Sequence, residues 1–440
     1  MRLRHTVVFA AWAVLGAPVS AQSPAPLRLS FAEAVRRASA APAVAIADLR
    51  IDQAGAGVRE ARGPLLPSVK LGGAWVRRSY SPQSFGFPIP SLPPDTVIGP
   101  FNNYDARIGA TQTLLDLSGF ARVKAAQAFE RASGADRNAV LEGAAQAAAL
   151  AYLHAVRASA SVAARRADSS IAAELVHLAD EQRAAGVSAA IDVTRARTQL
   201  VVAQGLLVVA RNESDRAHLD LGRVLGLDPA VPLELSDTLA IGLAQADVPV
   251  NVDSAIAAAT AARPDLVAEL AHGETARRNS TALANERLPR IDLAGDIGMN
   301  GLTVPDAVRT GQLAVQVSIP ILDGFRREGR ISEQRAIADE SDIRARDLRN
   351  QIGVDVRGAF LDAQSAEAQQ SIAAERLRLA EDELAQARER FRAGVAGNIE
   401  VITAQSSLVQ ARDADIEARY SAAAARVALA RAVGAAHTLH

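Results

Sequence analysis

The sequence predicts a mixed α and β fold, with internally duplicated long α-helical hairpins and four amphipathic β-strands per chain. Three observations predict it. The stretch EQRAAGVSAAIDVTRARTQLVVA (181–203) returns as ERFRAGVAGNIEVITAQSSLVQA (389–411). Four separate segments alternate apolar and polar side chains with period two. The strand pairs are followed by helical stretches far longer than those of an ordinary globular domain.

The repeat comes first, because a missed repeat misreads a whole fold. Gly186 matches Gly394, an offset of 394 − 186 = 208. The same offset pairs Val187 with Val395, Ile191 with Ile399, Asp192 with Glu400 and Leu200 with Leu408. It runs without a gap from Tyr152/Phe360 to Gly226/Gly434. Each copy reads as a long helix, a glycine turn and a returning helix, since glycine enters the left-handed region at a helix C-terminus without steric cost. Ser188 and Asn398 are the expected caps of the returning helices.

The chain opens with a basic start (Arg2, Arg4, His5), a short apolar run (Val7–Gly16) and the small-residue site Val19-Ser20-Ala21. This predicts a signal peptide over 1–21. With no cysteine in the 440 residues, disulfides, thiolate metal sites and a lipid-modified cysteine are excluded. The histidines show no metal-ligand spacing, and there is no nucleophile elbow or phosphate-cradling loop. The sequence therefore implies no metal, no cofactor and no enzyme. A net charge of −1 gives a nucleic-acid partner no electrostatic support. After the signal no apolar stretch approaches the ~20 residues of a membrane helix, whereas barrel strands leave only a weak trace.

Taken in order, 27–41 reads as a short amphipathic helix with Ser30 as N-cap, and Pro42 starts a second helix running to about Arg62. Past Leu65-Leu66-Pro67-Ser68 the period becomes two. Val69, Leu71, Gly73 and Trp75 share one face, and the alternation fades at Val76. A loop with six prolines, Pro82 to Pro100, precedes a second alternating segment, Tyr104–Leu114. A helix from near Gly119 to Gly186 would be about 100 Å long. The pattern then restarts. Ile291, Leu293, Gly295, Ile297 and Met299 form the third strand's apolar face, and Leu313, Val315, Val317, Ile319 and Ile321 the fourth's. The second long helix carries a seam from Val356 to Phe391 with spacings of three and four, the mark of heptad packing. The predicted organisation is a signal peptide (1–21), a first repeat (22–227; β-hairpin 68–115, tip 186–188), a linker (228–250), a second repeat (251–434; β-hairpin 290–321, tip 394–396) and a tail (435–440).

Strands of 10–12 residues match a bilayer crossed at a barrel's tilt. Trp75, Tyr80 and Tyr104 lie toward the loop ends, where an aromatic girdle belongs. Four strands cannot close a barrel, and open edges are not tolerated in lipid. The simplest ring is a homotrimer of 3 × 4 = 12 strands. A periplasmic or secreted coiled-coil scaffold without a pore is the alternative; it leaves the strands unexplained.

Here the chain resembles the TolC-like outer-membrane channels. The resemblance rests on ARPDL (Ala262–Leu266), the LLPS and RLPR junctions, PILDG (Pro320–Gly324) and the paired AAGV/RAGV tips followed by IDV/IEV. It implies a homotrimer whose transmembrane barrel continues into a coiled-coil periplasmic tunnel in a Gram-negative outer membrane. It also implies an exit duct serving a tripartite efflux pump or type I secretion system, with a periplasmic adaptor protein, an inner-membrane transporter of RND or ABC type, and outer-membrane lipid as partners. Carried over residue by residue, Gly186, Val187, Ser188, Gly394, Val395 and Ala396 become adaptor-docking tips. Asp192, Glu400 and Phe391 become the periplasmic entrance and gate. Phe391 stands where some members have a hydrogen-bonding Tyr and Ala396 where they have an Arg. The resemblance therefore leaves the closed state to Phe391 packing and to salt bridges of Arg390 or Arg392.

Overall fold

The computed structural model describes residues 26–81, 93, 96–239, 249 and 251–440. The expected signal peptide, most of the proline-rich loop and part of the 228–250 linker lie outside them. In chain order the elements are β1 (Leu27–Leu29), α1 (Phe31–Arg37), α2 (Pro42–Arg62), β2 (Ser68–Tyr80), β3 (Ile98–Leu115), α3 (Leu117–Ala184) and α4 (Ala190–Val224). There follow β4 (Leu233–Leu235), α5 (Val252–Ala262), α6 (Pro264–Ala284), β5 (Arg290–Gly301), β6 (Val308–Ser318), α7 (Arg326–Arg392) and α8 (Asn398–Val433).

The two long helices have 68 and 67 residues, each about 100 Å at 1.5 Å per residue. Alanine makes this length possible: it has the highest helix propensity and lets backbones approach closely. The buried stripe of α7 follows the heptad seam, with Val356, Ala359, Ala366, Ala373, Ala380, Leu384, Ala387 and Phe391 all buried. One expectation changes. α3 does contain an 18-residue window apolar enough to cross a membrane, but 44% of it is buried within the protein. Alanine against neighbouring helices accounts for it.

The returning helices stop where the short helices begin. Gly226 ends α4 at φ +68°, and a Cβ there would meet Pro42 Cδ at 2.9 Å. Gly434 ends α8 at φ +79°, and a Cβ there would meet Arg263 Cγ at 3.1 Å, beside Pro264. Any side chain at these joints would push the stacked helix ends apart.

β2, β3, β5 and β6 form one antiparallel sheet in that order. Trp75 pairs with Tyr104, and Tyr104 with Gly301 on β5. Both strands of the first hairpin outrun the expected alternation, β2 to Tyr80 and β3 back to Ile98. β6 instead stops at Ser318, so Ile319 and Ile321 lie past its end.

A core at the middle of α3, here called equatorial, gathers β1, α1 and the C-terminal residues onto that helix. β1 pairs parallel with β4, Leu27 opposite Leu233, so 27–29 is strand, and the helix starts one residue after Ser30, which caps Glu33 N at 3.2 Å. Tyr152, fully buried, donates its hydroxyl to Asp237 at 2.7 Å and lies 3.0 Å from the Leu29 carbonyl. Burial and then the Asp237 carboxylate push this phenol well above its ordinary range. Ala436 and Leu439 pack in the same core, and Glu142 accepts from Ala436 N at 2.8 Å and from His437.

Candidate functional site

Two regions carry the chemistry: the hairpin tips and the two faces of the sheet. At the first tip Gly186 adopts φ +76°, Val187 N donates to Gln182 O at 2.9 Å, and Gly186 N to Arg183 O at 3.0 Å. The second tip repeats the pattern, with Gly394 at φ +72°, Val395 N to Arg390 O at 3.1 Å and Gly394 N to Phe391 O at 3.0 Å. Such paired bonds close a helix C-terminus and satisfy its last carbonyls. Val187 and Val395 are left 65% and 68% exposed, while Ser188 and Ala396 are half-buried beside them. Val187 Cγ1 lies 3.8 Å from the place a Cβ on Gly394 would take, so the two tips meet.

The expected caps are corrected. The N-cap positions are Ala189 and Gly397, not Ser188 and Asn398. Asp192 does the capping at the first tip, accepting from Ser188 Oγ at 2.9 Å and from Ala189 N at 3.3 Å. Asn398 is fully buried and donates to the Asp192 carbonyl at 2.7 Å, which ties α8 to α4. The first returning helix thus begins one residue later than Ser188 suggests and the second one residue earlier than Asn398 suggests.

Phe391 is 2% exposed. It packs with Leu175, Val193, Leu384, Val401 and Leu408 in a core drawn from all four long and returning helices. Its carbonyl accepts from Gln182 Nε2 at 2.7 Å. Glu400 faces Arg390 at 3.3 Å, whereas Asp192 lies 3.7 Å from Arg195. The structure thus does not bring Asp192 and Glu400 side chains together. Above this core a buried charge cluster crosses from α3 to α8. Asp168, 3% exposed, accepts from Arg165 at 3.0 Å and Arg412 at 2.7 Å, and Arg165 also pairs with Asp413. No sequence signal marked it, because its members lie 244 residues apart.

The sheet is inside-out. Val69, Leu71, Trp75, Ile108, Ile297, Met299, Leu313, Val315 and Val317 are exposed on one face. The register sets Ser68, Lys70, Asp105, Arg107, Asp296, Asn300 and Gln312 on the other. There Arg107 bridges Asp105 and Asp296 at 2.7 and 2.6 Å, and Gln312 donates to Asp296 at 2.6 Å. A sheet with an apolar face on one side and ion-paired polar groups on the other suits lipid outside and water inside. Trp75 and Tyr104 are direct cross-strand partners on the outward face. Tyr80 is not with them: past a register shift it stacks edge-on against Phe101, 5.8 Å between centroids.

An outward-apolar strand sheet joined to 100 Å helices whose tips stay exposed defines a membrane channel with a long helical extension. The chain belongs to the family of outer membrane efflux proteins, whose sequence model matches residues 36–227 and 255–435. It is 27% identical over 372 residues to Protein CyaE of Bordetella pertussis, covering 82% of this chain and 75% of that one. Its fold matches the outer membrane protein VceC of Vibrio cholerae (TM-score 0.74, 18% identity, 92% of this chain and 96% of that one). It also matches the CmeC outer membrane channel of Campylobacter jejuni (TM-score 0.77, 17% identity, 92% and 86%). The protein is an exit duct of the Gram-negative outer membrane, used in efflux or secretion, with a long periplasmic helical extension.

Proposed function

We propose that three copies form the duct, each giving β2, β3, β5 and β6 to a twelve-stranded barrel and the long hairpins to a coiled-coil tunnel. The observation that carries this is the sheet with its apolar face outward and its two edge strands, β2 and β6, each paired on one side only among the described residues. In hydrocarbon an unpaired edge costs several kcal/mol per unsatisfied backbone group, on the order of tens over a strand. Neighbouring copies supply the missing partners. The chain then reads as two repeats around the ring, with β4 (Leu233–Leu235) between them beside β1.

The exposed Val187 and Val395, with Gly186, Ser188, Gly394 and Ala396, form the docking end for a periplasmic adaptor protein. That adaptor connects the duct to an inner-membrane transporter of RND or ABC type, in a tripartite pump or a type I secretion system. Phe391, Arg390 and Glu400 hold the entrance closed, with Asp192 shaping the first tip. Mass measurement of the detergent-extracted protein tests the ring: three copies are expected, and a monodisperse monomer in plain buffer defeats it.

A further inference from the structure

The outward face of the sheet carries two charges among the described residues, and both are arginines. On this face β2 presents Val69, Leu71, Gly73, Trp75, Arg77 and Ser79, and β6 presents Arg309, Gly311, Leu313, Val315 and Val317. β3 and β5 add Asn102, Tyr104, Ala106, Ile108, Ala110 and Gln112 with the alternate residues Ile291, Leu293, Gly295, Ile297 and Met299, and no acid is among them. Every aspartate of the four strands lies on the opposite face, where Arg107 and Arg290 are paired with them. Arg77 and Arg309 are exposed and make no ion pair among the described residues.

Their positions are specific. Arg77 sits opposite Asn102, two rungs beyond the Trp75–Tyr104 pair and toward the loop. Arg309 is the second residue of β6, opposite Met299, beside the turn that joins β5 to β6. Both therefore lie at the sheet end farthest from the helices, at or beside the aromatic level. An arginine facing lipid is costly at the bilayer midplane and nearly free of cost at the interface. Tryptophan and tyrosine mark that interface. A guanidinium there is best satisfied by a phosphate, whose oxygens match its fork.

We propose that Arg77 and Arg309 form a binding site for the phosphates of the glycolipid in the outer leaflet. The proposal rests on the ring reading above. β2 and β6 are the opposite edges of one chain's sheet, so closing the ring puts Arg309 of one copy on the strand adjoining the next copy's Arg77. The site is then composite and repeats at each seam between copies. A phosphate held across the seam reinforces strand pairing that the single chain lacks.

Native mass spectrometry of the detergent-extracted full-length protein tests this with bis-phosphorylated lipid A, the same lipid dephosphorylated, and inorganic phosphate. Wild type is expected to retain the phosphorylated lipid at least about tenfold more tightly than the dephosphorylated one. Arg77→Gln with Arg309→Gln should erase that preference at unchanged assembly mass, and Arg77→Lys with Arg309→Lys, which keeps charge but loses the fork, should be intermediate. Arg376→Gln, an exposed arginine on α7, should behave as wild type. Equal retention by wild type and the double Gln variant overturns the site, as does displacement of the lipid by inorganic phosphate. If the Gln pair fails to assemble, the Lys pair decides: wild-type preference there overturns the bidentate site. A wild-type spectrum without a trimer overturns the ring itself, a failure visible separately from loss of lipid preference.

Discussion

Arg390 Nε lies 3.3 Å from Glu400 Oε1, tying the last turn of α7 to the first turn of α8 across the tip. Both side chains are about half exposed, so the pair adds little stability by itself. Its consequence is electrostatic. In the three-copy mouth proposed above, the arginines would compensate the carboxylates and limit their pull on cations.

Planar-bilayer conductance titrated with a trivalent cation separates the roles. Glu400→Gln should weaken current block strongly, and Arg390→Gln should strengthen it by leaving the carboxylates uncompensated. Asp192→Asn should leave block unchanged, because that carboxylate is used by Ser188 and Ala189. Identical block in all four proteins makes Glu400 an ordinary helix-start acid favoured by the dipole.

Val187→Asp together with Val395→Asp should abolish efflux or secretion while the assembly keeps its mass. Neither side chain is buried within the chain, so folding has no stake in them. Full activity in the double variant means the adaptor docks elsewhere.

Arg263 is buried and pairs with Asp265 at 2.7 Å and Asp355 at 2.9 Å. Arg263→Met should destabilise the protein by about 3 kcal/mol, the low end for breaking such a network because the aspartates are partly exposed. Burial pushes the Asp265 carboxyl up, but the hydrogen bonds from Arg263 outweigh it and hold it below 3.8. A depressed folded-state value means stability that is present above 3.8 and lost as pH falls through the lower folded value. The deficit of the variant in thermal unfolding should therefore be full at pH 7 and narrow below pH 3.8. A deficit independent of pH assigns the effect to packing alone.

Leu71→Arg, in the exposed apolar face, should cost about 2–4 kcal/mol of barrel stability if it lies near the midplane. The neighbouring Ala74→Arg, on the opposite face, should be tolerated and shift conductance instead. Reversed outcomes in urea unfolding from vesicles would exchange the lipid and lumen faces.

The strands were legible only where their two faces meet different solvents. Val69 to Trp75 alternate because one side meets apolar and the other polar surroundings. Past Trp75 the hairpin continues with Arg77, Arg78 and Tyr80, where both faces are polar enough to erase the period. The seam ending at Phe391 was readable for the same reason, as a one-sided contact sustained over many turns. The tips were partly legible: glycine placed the turns, but Ser188 and Asn398 look like caps and serve other bonds. Tyr152 with Asp237, and Asp168 with Arg412, escaped notice because partners distant in sequence share no local pattern.

The joints at Gly226–Pro42 and Gly434–Pro264 have a mechanical meaning. Each stacks two helices end to end with close van der Waals contact but no covalent bond across the gap. Such a joint carries compression along the column. A load applied at the tips therefore passes up the column, while Ala217 and Leu221 of α4 and Val427 and Ala430 of α8, packed in the equatorial core, keep the upper ends of the returning helices from turning.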